Sequence, residues 1–163
     1  MTNKKIKNAT VTEYDGIKFR SKQEVMCYKV LKENGFEPLY EQKYYHLFDG
    51  FVPHVPFYTK NKFKRKNKWI TTISKHTVID NRSIDSWVYT PDFVFIYKDY
   101  TIIVEVKGKE NDVYPYKKKL FRYELELQQQ SNPYIHYEFW EIYTKQQLLD
   151  CINQLKLKTN ENT

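Results

Sequence analysis

Between Trp87 and Lys107 the chain runs through two segments dense in β-branched and aromatic residues, Trp87 to Tyr97 and Tyr100 to Lys107, parted only by Lys98-Asp99. Such residues favour a pleated, half-buried surface, and a two-residue break suits a hairpin turn. An antiparallel pair is therefore expected, and it dictates which side chains meet. Side chains alternate along a strand, so Ile103, Glu105 and Lys107 share one face and Ile102, Val104 and Val106 the other. The first face changes from apolar to charged at the C-terminal end of its strand. Pro91 fits the start of the preceding strand, where a missing donor is tolerated, and Asp92 then falls opposite the Glu105–Lys107 end. Two converging carboxylates repel unless a cation lies between them or they share a proton. Hard oxygen ligands of this kind suit Mg²⁺ or Mn²⁺ and not zinc. Gly108, directly after, leaves room for another chain or a ligand to approach.

Each part also has a plainer explanation. A Glu-x-Lys pair on its own is usually a salt bridge or a charged strand end. The third carboxylate, Glu24, stands in Ser21-x-x-Glu24, which spells a capping box. A cap and a metal would compete for the same side chain. The conjunction of Asp92 with Glu105 and Lys107 on adjacent strands is what favours a functional site.

The rest of the chain frames that hairpin. Ser21 opens a helix with Val25, Tyr28, Val30 and Leu31 on its apolar side, and Gly35 stops it. Leu39 to Leu47 reads as a strand, 48–68 as irregular, and Trp69 to Ile73 as a short strand. Tyr116 to Gln130 reads as a helix in which Tyr116, Leu120, Tyr123 and Leu127 share one face and Lys118 and Arg122 another. Asn132-Pro133 ends it, Tyr134 to Tyr143 alternates as a strand, and 144–157 forms a last helix with Leu148, Leu149, Ile152 and Leu155 inward. The order predicts an α/β fold with a mixed sheet flanked by helices. Residues 1–13 read as a flexible basic arm, 14–157 as a single domain with a basic insertion at about 48–86, and 158–163 as a frayed tail.

Size and composition narrow the function. A chain of 163 residues can bury a real core, and 17% aromatic residues argue against disorder. The net charge of +7 favours a polyanionic partner such as nucleic acid or an anionic membrane, and a merely soluble surface stays open beside them. Cys27 and Cys151 lie far apart without a CxxC, so neither a disulfide framework nor a zinc knuckle is expected, and a reducing cytoplasm fits. No apolar run nears the roughly 18 residues of a membrane span, and Met1 to Thr10 lacks a secretory h-region. Four glycines without a phosphate loop do not support nucleotide hydrolysis. His46, His54, His76 and His136 show no ligand spacing.

Phe19-Arg20-Ser21-x-x-Glu24, Tyr89-Thr90-Pro91-Asp92-Phe93 and Val104-Glu105-Val106-Lys107-Gly108 resemble, in order and local context, the PD-(D/E)XK nuclease superfamily. Within it they resemble the phage endonuclease I type of Holliday-junction resolvase. Asn34-Gly35-Phe36 and Tyr40-Glu41 also look similar, and the likeness covers about residues 14–143. The resemblance implies a restriction-endonuclease-like core of order αβββαβ. It also implies an Mg²⁺- or Mn²⁺-dependent endodeoxyribonuclease acting on branched DNA in phage-type replication or recombination, in the cytoplasm of a bacterium or phage-infected host. Asp92 and Glu105 would hold the main metal with the Val106 carbonyl. Glu24 would help to bind a second metal or a water, and Lys107 would orient or activate the attacking water. Lys117 and Lys118, with Arg122 on the same helix, would contact DNA phosphates. The family's resolvases dimerise, which makes a homodimer an expectation. The segment from His46 to Val88 is longer than in those compact enzymes.

That longer segment carries a basic run at 60–68 in which six of nine residues are Lys or Arg. Charge runs are usually solvated loops, but beside a nuclease site Lys62, Lys64, Arg65 and Lys66 would track the phosphate backbone without reading sequence. Two other readings stay open: a restriction-like or transposon-end nuclease, and a non-catalytic DNA-binding module.

Overall fold

The computed structural model describes residues 10–60, 62–65, 68–71, 78–108 and 112–161. In chain order these form β1 (Thr12–Tyr14), β2 (Ile17–Phe19), α1 (Lys22–Glu33), β3 (Leu39–Tyr40), β4 (Tyr45–Phe48), β5 (Tyr58–Thr59), β6 (Lys62–Arg65), β7 (Lys68–Thr71), β8 (Val78–Ile79), β9 (Trp87–Tyr89), β10 (Phe93–Tyr97), β11 (Tyr100–Val106), α2 (Tyr114–Ser131), β12 (His136–Ile142) and α3 (Lys145–Glu161). The fold is mixed α/β. The chain divides into two compact units, one holding the described residues up to Tyr45 and from Tyr89 onward, the other His46–Val88.

The first unit is built on a four-stranded sheet of order β12-β11-β10-β3. The hairpin expected at Lys98-Asp99 is present: Tyr97 pairs with Tyr100 and Phe93 with Val104. Lys98 takes a φ of 54°, the left-handed conformation a tight turn needs. β12 joins β11 in parallel, with Glu141 beside Glu105, and α2 is the crossover such a connection requires. Phe93, Phe95, Ile102, Val104, Trp140 and Ile142 form the sheet's side of the main core, with Val25, Tyr28 and Leu31 of α1 and Leu148, Ile152 and Leu155 of α3. The other face carries a smaller aromatic cluster, in which Phe121 of α2 lies 4.3 Å from Tyr89 and 5.1 Å from Phe139, centroid to centroid.

Several boundaries differ from expectation, each for a local reason. The stretch from Leu39 to Leu47 is two short strands, because Glu41 turns the backbone with a φ of 48°. Trp87 to Tyr97 is likewise broken into β9 and β10, since Pro91 has no N–H to offer a ladder. The polar tail stays helical to Glu161, with Thr159 buried and its hydroxyl donating to the Leu155 carbonyl at 2.9 Å. The expected arm is strand from Thr12, where Thr12 pairs with Phe19. The second unit is less irregular than its composition suggested: β5 pairs with β8, and the basic run forms a hairpin in which Lys62 pairs with Thr71 and Arg65 with Lys68. Gly50 is needed there, because a Cβ would meet the Ile84 carbonyl oxygen at 2.9 Å.

The sequence pattern of α2 left its seating open, and the structure decides it. Its buried residues are Tyr114, Phe121 and Leu125, whereas Tyr116, Tyr123 and Leu127 of the other stripe are exposed. A helix with two apolar stripes seats on the sheet through the one that also satisfies its polar neighbours. Here that stripe includes Lys118, which pairs with Glu141 of β12 at 3.0 Å.

Candidate active site

The first unit gathers a set of polar groups at the end of the sheet where β11 stops and β10 begins. Asp92 sits just before β10, and its Oδ2 accepts a 2.6 Å hydrogen bond from the Val106 amide on the neighbouring strand. That contact continues the register of the hairpin and places Asp92 across from Glu105. Glu105 is buried. Its Oε1 binds the Lys107 ammonium, and its Oε2 accepts from the Tyr89 hydroxyl at 2.6 Å. The Lys107 ammonium also lies 3.7 Å above the centre of the Tyr114 ring, a cation–π contact that holds it from the α2 side. Alternation along β11 thus aims Glu105 and Lys107 together, as the strand period requires.

Glu24 comes from α1 and is buried. Half of the capping box is present: the Glu24 amide donates to Ser21 Oγ at 3.2 Å, but the Glu24 carboxylate accepts from the Ser21 hydroxyl, at 2.8 Å on Oε1, and not from the Ser21 amide. Glu24 Oε2 accepts from the Arg20 amide at 2.9 Å and from the Tyr40 hydroxyl at 2.6 Å. The Glu105–Lys107 salt bridge is also made. Both plainer explanations therefore describe bonds the chain makes, and they hold the side chains of the functional reading in place. Gln23, one residue before Glu24, ties α1 to the same sheet end by donating to the Lys107 and Tyr143 carbonyls at 3.2 and 2.6 Å.

The electrostatics follow from crowding acids at low solvent exposure. Burial pushes the Asp92 carboxyl well above its ordinary range. The Glu105 charge adds to this, and the Val106 amide and Lys107 oppose it. Burial raises Tyr89, whose hydroxyl also faces the Glu105 charge, and it raises Tyr40, whose hydroxyl is tied to Glu24. Both phenols therefore remain donors at any physiological pH.

Three residues of this assembly carried no assigned role in the sequence. Glu41 donates its amide to the Asp92 carbonyl at 2.9 Å and pairs with Arg20 at 2.9 Å. Its carboxyl is raised by burial and by the Glu24 and Glu105 charges, against the pull of Arg20. Tyr40 and Tyr89 each hold one carboxylate. Tyr89 stood within a motif and Tyr40-Glu41 within the wider likeness, but nothing gave them a role, and fifteen tyrosines hid the two that matter.

Among the described residues no three His, Cys, Asp or Glu side chains converge as a group ready to hold a metal ion. Glu24 is held in its cap, and both Glu105 oxygens have partners. The donor chemistry of Asp92 and Glu105 nevertheless fits a hard divalent cation. Two carboxylates meet, one is strongly disfavoured as an anion, and the charge a cation would neutralise is already there. Val106 contributes its amide to Asp92. Gly108 is not forced by the chain, since a Cβ there would make only ordinary contact with Gln23 at 3.5 Å.

The expected DNA contacts are distributed. Lys118 is half-buried and engaged by Glu141, while Arg122 is exposed. Both line a groove of about 430 Å³ between α2 and β12, with Glu126, Gln129, Tyr137, Phe139 and Glu141. Lys117 lies on α2 beside them in sequence. Lys62, Lys64 and Arg65 belong to β6 of the second unit, and Lys66 lies outside the described residues. No helix among the described residues is long and apolar enough to cross a membrane. Compared with known proteins, the chain matches no family model, no curated protein and no solved structure.

Proposed function

We propose that this chain is a metal-dependent DNA endonuclease of the PD-(D/E)XK kind, acting on branched DNA such as Holliday junctions. The observation that carries the reading is the meeting of Asp92, Glu105 and Lys107 at one sheet end, bound to one another through the Val106 amide and the Glu105–Lys107 pair. With the strands β4 to β9 set aside as an insertion, the order α1-β3-β10-β11-α2-β12 is compatible with the αβββαβ core that the resemblance implies. The net charge of +7 suits a polyanionic substrate.

In this reading Asp92 and Glu105 would hold Mg²⁺ or Mn²⁺. When bound, the cation neutralises charge on the attacked phosphate and lowers the pKa of a bound water. Lys107 orients the attacking water, and its own position is set by Glu105 and the Tyr114 ring. Water adds to phosphorus as the bond to the 3′ oxygen breaks; the water gives up one proton to solvent, and the leaving 3′ oxygen takes one up from solvent, so the phosphate stays on the 5′ side. Tyr89 and Tyr40 fix the rotamers of Glu105 and Glu24, a pre-organisation that a reacting site needs. Lys118, Arg122 and the basic hairpin supply phosphate contacts.

A second reading is a DNA-binding module without catalysis. It is favoured by the fact that Glu105 and Glu24 already have intramolecular partners for both oxygens. Cleavage assays with Mg²⁺ or Mn²⁺ on matched four-way-junction, flap, single-stranded and linear duplex DNA separate the two. The nuclease reading expects cutting, strongest on the junction and abolished in Asp92→Asn. Binding without cutting on every substrate supports the module, and preferential cutting of linear duplex supports a restriction-like or transposon-end enzyme.

A further inference from the structure

We infer that two copies of this chain pair through the outer face of α2, with the two helices antiparallel. The helix has two apolar stripes. Tyr114, Phe121 and Leu125 bury one against the sheet. The opposite stripe, Tyr116, Leu120, Tyr123 and Leu127, follows the four-three-four spacing of a helix–helix seam. Its Tyr116 and Tyr123 are 66% and 64% exposed, and Leu127 is 42% exposed.

The charges beside the seam identify the occupant. Lys117 and Glu124 flank it on one side, and Lys119 and Glu126 on the other, each pair seven residues apart. The basic members come from the N-terminal half of α2 and the acidic members from the C-terminal half. A two-fold axis perpendicular to two antiparallel helices keeps each flank on its own side and reverses its direction. Lys117 then faces the partner's Glu124, and Lys119 faces the partner's Glu126, and both pairs occur twice by symmetry. A parallel pairing would bring together only Lys119 and the partner's Glu124. The antiparallel pair also sets the helix dipoles head to tail. The stripe itself is tyrosine and leucine and offers phosphate no cation, whereas Lys118 and Arg122, the phosphate contacts proposed above, lie on the other side of the helix. A surface that is complementary to itself is the mark of an isologous dimer.

The seam spans under two heptads, so the contact belongs with small, reversible interfaces. It carries no folding cost for α2, which the sheet already holds. This inference stands independently of the nuclease reading.

Sedimentation velocity on the full chain over a concentration series tests it. The wild type is expected to associate reversibly. Lys117→Glu with Lys119→Glu makes the flanks all acidic, and Glu124→Lys with Glu126→Lys makes them all basic. Each double variant alone should self-associate at least about tenfold more weakly. An equimolar mixture of the two should form a dimer as tight as the wild type or tighter. Leu127→Lys, on the seam itself, should weaken association without any change to the flanks. A wild type that stays monomeric throughout overturns the inference. So do charge variants that dimerise as well as the wild type, or a mixture that fails to associate.

Discussion

Replacing Asp92 by Asn separates what the site needs for chemistry from what the fold needs for stability. The Asp92 carboxyl is raised by burial first and by the Glu105 charge second, and the Val106 amide and Lys107 offset this only in part. A carboxyl with a raised folded-state pKa favours the native state most where it is protonated. That contribution is complete below the unfolded value of about 3.9, and it is lost as pH rises through the folded value. Each unit of upward displacement costs the native state about 1.4 kcal/mol at pH above both values. Asn keeps an oxygen to accept from the Val106 amide and carries no charge. Without divalent ions, Asp92→Asn should therefore be more stable than the wild type near neutral pH, by about 1–3 kcal/mol, the scale of an unmet buried polar demand. For a chain of this size that is about 2–4 °C in Tm per kcal/mol, and the gap should close as pH falls toward about 4. Adding Mg²⁺ should reverse the order: a ligand at a hundred times its Kd stabilises by about 2.7 kcal/mol, and only the wild type keeps both carboxylates. Thermal melts of both proteins across pH, with and without Mg²⁺, read this directly. A variant that melts below the wild type without metal refutes the argument, and so does an equal Mg²⁺ shift in both proteins.

Cleavage should be lost in Asp92→Asn and in Glu105→Gln while DNA binding is kept; residual cutting near the wild-type rate would remove both residues from the site. Lys107→Ala should lose cleavage and also stability, because its ammonium is held by Glu105 and Tyr114 with only 16% of the side chain exposed. Breaking a buried pair costs up to about 3–5 kcal/mol, and an unchanged melting curve would show that the pair is solvated. Tyr89→Phe removes one donor to Glu105, so cleavage should fall for a stability loss of about 1 kcal/mol, measured by single-turnover kinetics beside denaturant melts. Neutralising Lys62, Lys64, Arg65 and Lys66 together should weaken binding to junction and linear DNA alike, lowering the log–log salt slope by about 0.9 for each phosphate no longer neutralised. Titrations with Ca²⁺ in place of Mg²⁺ would show a junction-only weakening if the hairpin reads branch geometry.

The parts of this molecule that were legible in advance are those governed by short-range rules. Ser21 as a cap, Gly35 as a stop and Lys98-Asp99 as a turn are each decided by a few adjacent residues, and each is found. The pairing of Asp92 with the Glu105–Lys107 end followed from the same logic, since a known turn fixes strand register. Glu41, Tyr40 and Tyr89 were not legible as site residues. Their roles depend on which strands lie beside which, and β3 reaches the site only by pairing with β10. Periodicity reports that a stripe exists, not what it faces.

The rotation of α2 turns on that last point. Both of its stripes satisfy the helical period, and the sequence singles out the one with the more regular spacing, Tyr116-Leu120-Tyr123-Leu127. The structure seats the other, because Phe121 completes the aromatic cluster with Tyr89 and Phe139 and Lys118 neutralises Glu141. Tyr114 follows from the same rotation and holds the Lys107 ammonium from above. Turning the helix to bury the regular stripe would carry Tyr114 and Lys118 off the sheet together. Glu141 would then stand unpaired beside Glu105 on the neighbouring strand, adding a third like charge where Asp92 is already hard to ionise. The charge balance of the candidate site and the exposure of an apolar seam are thus two consequences of one helix orientation.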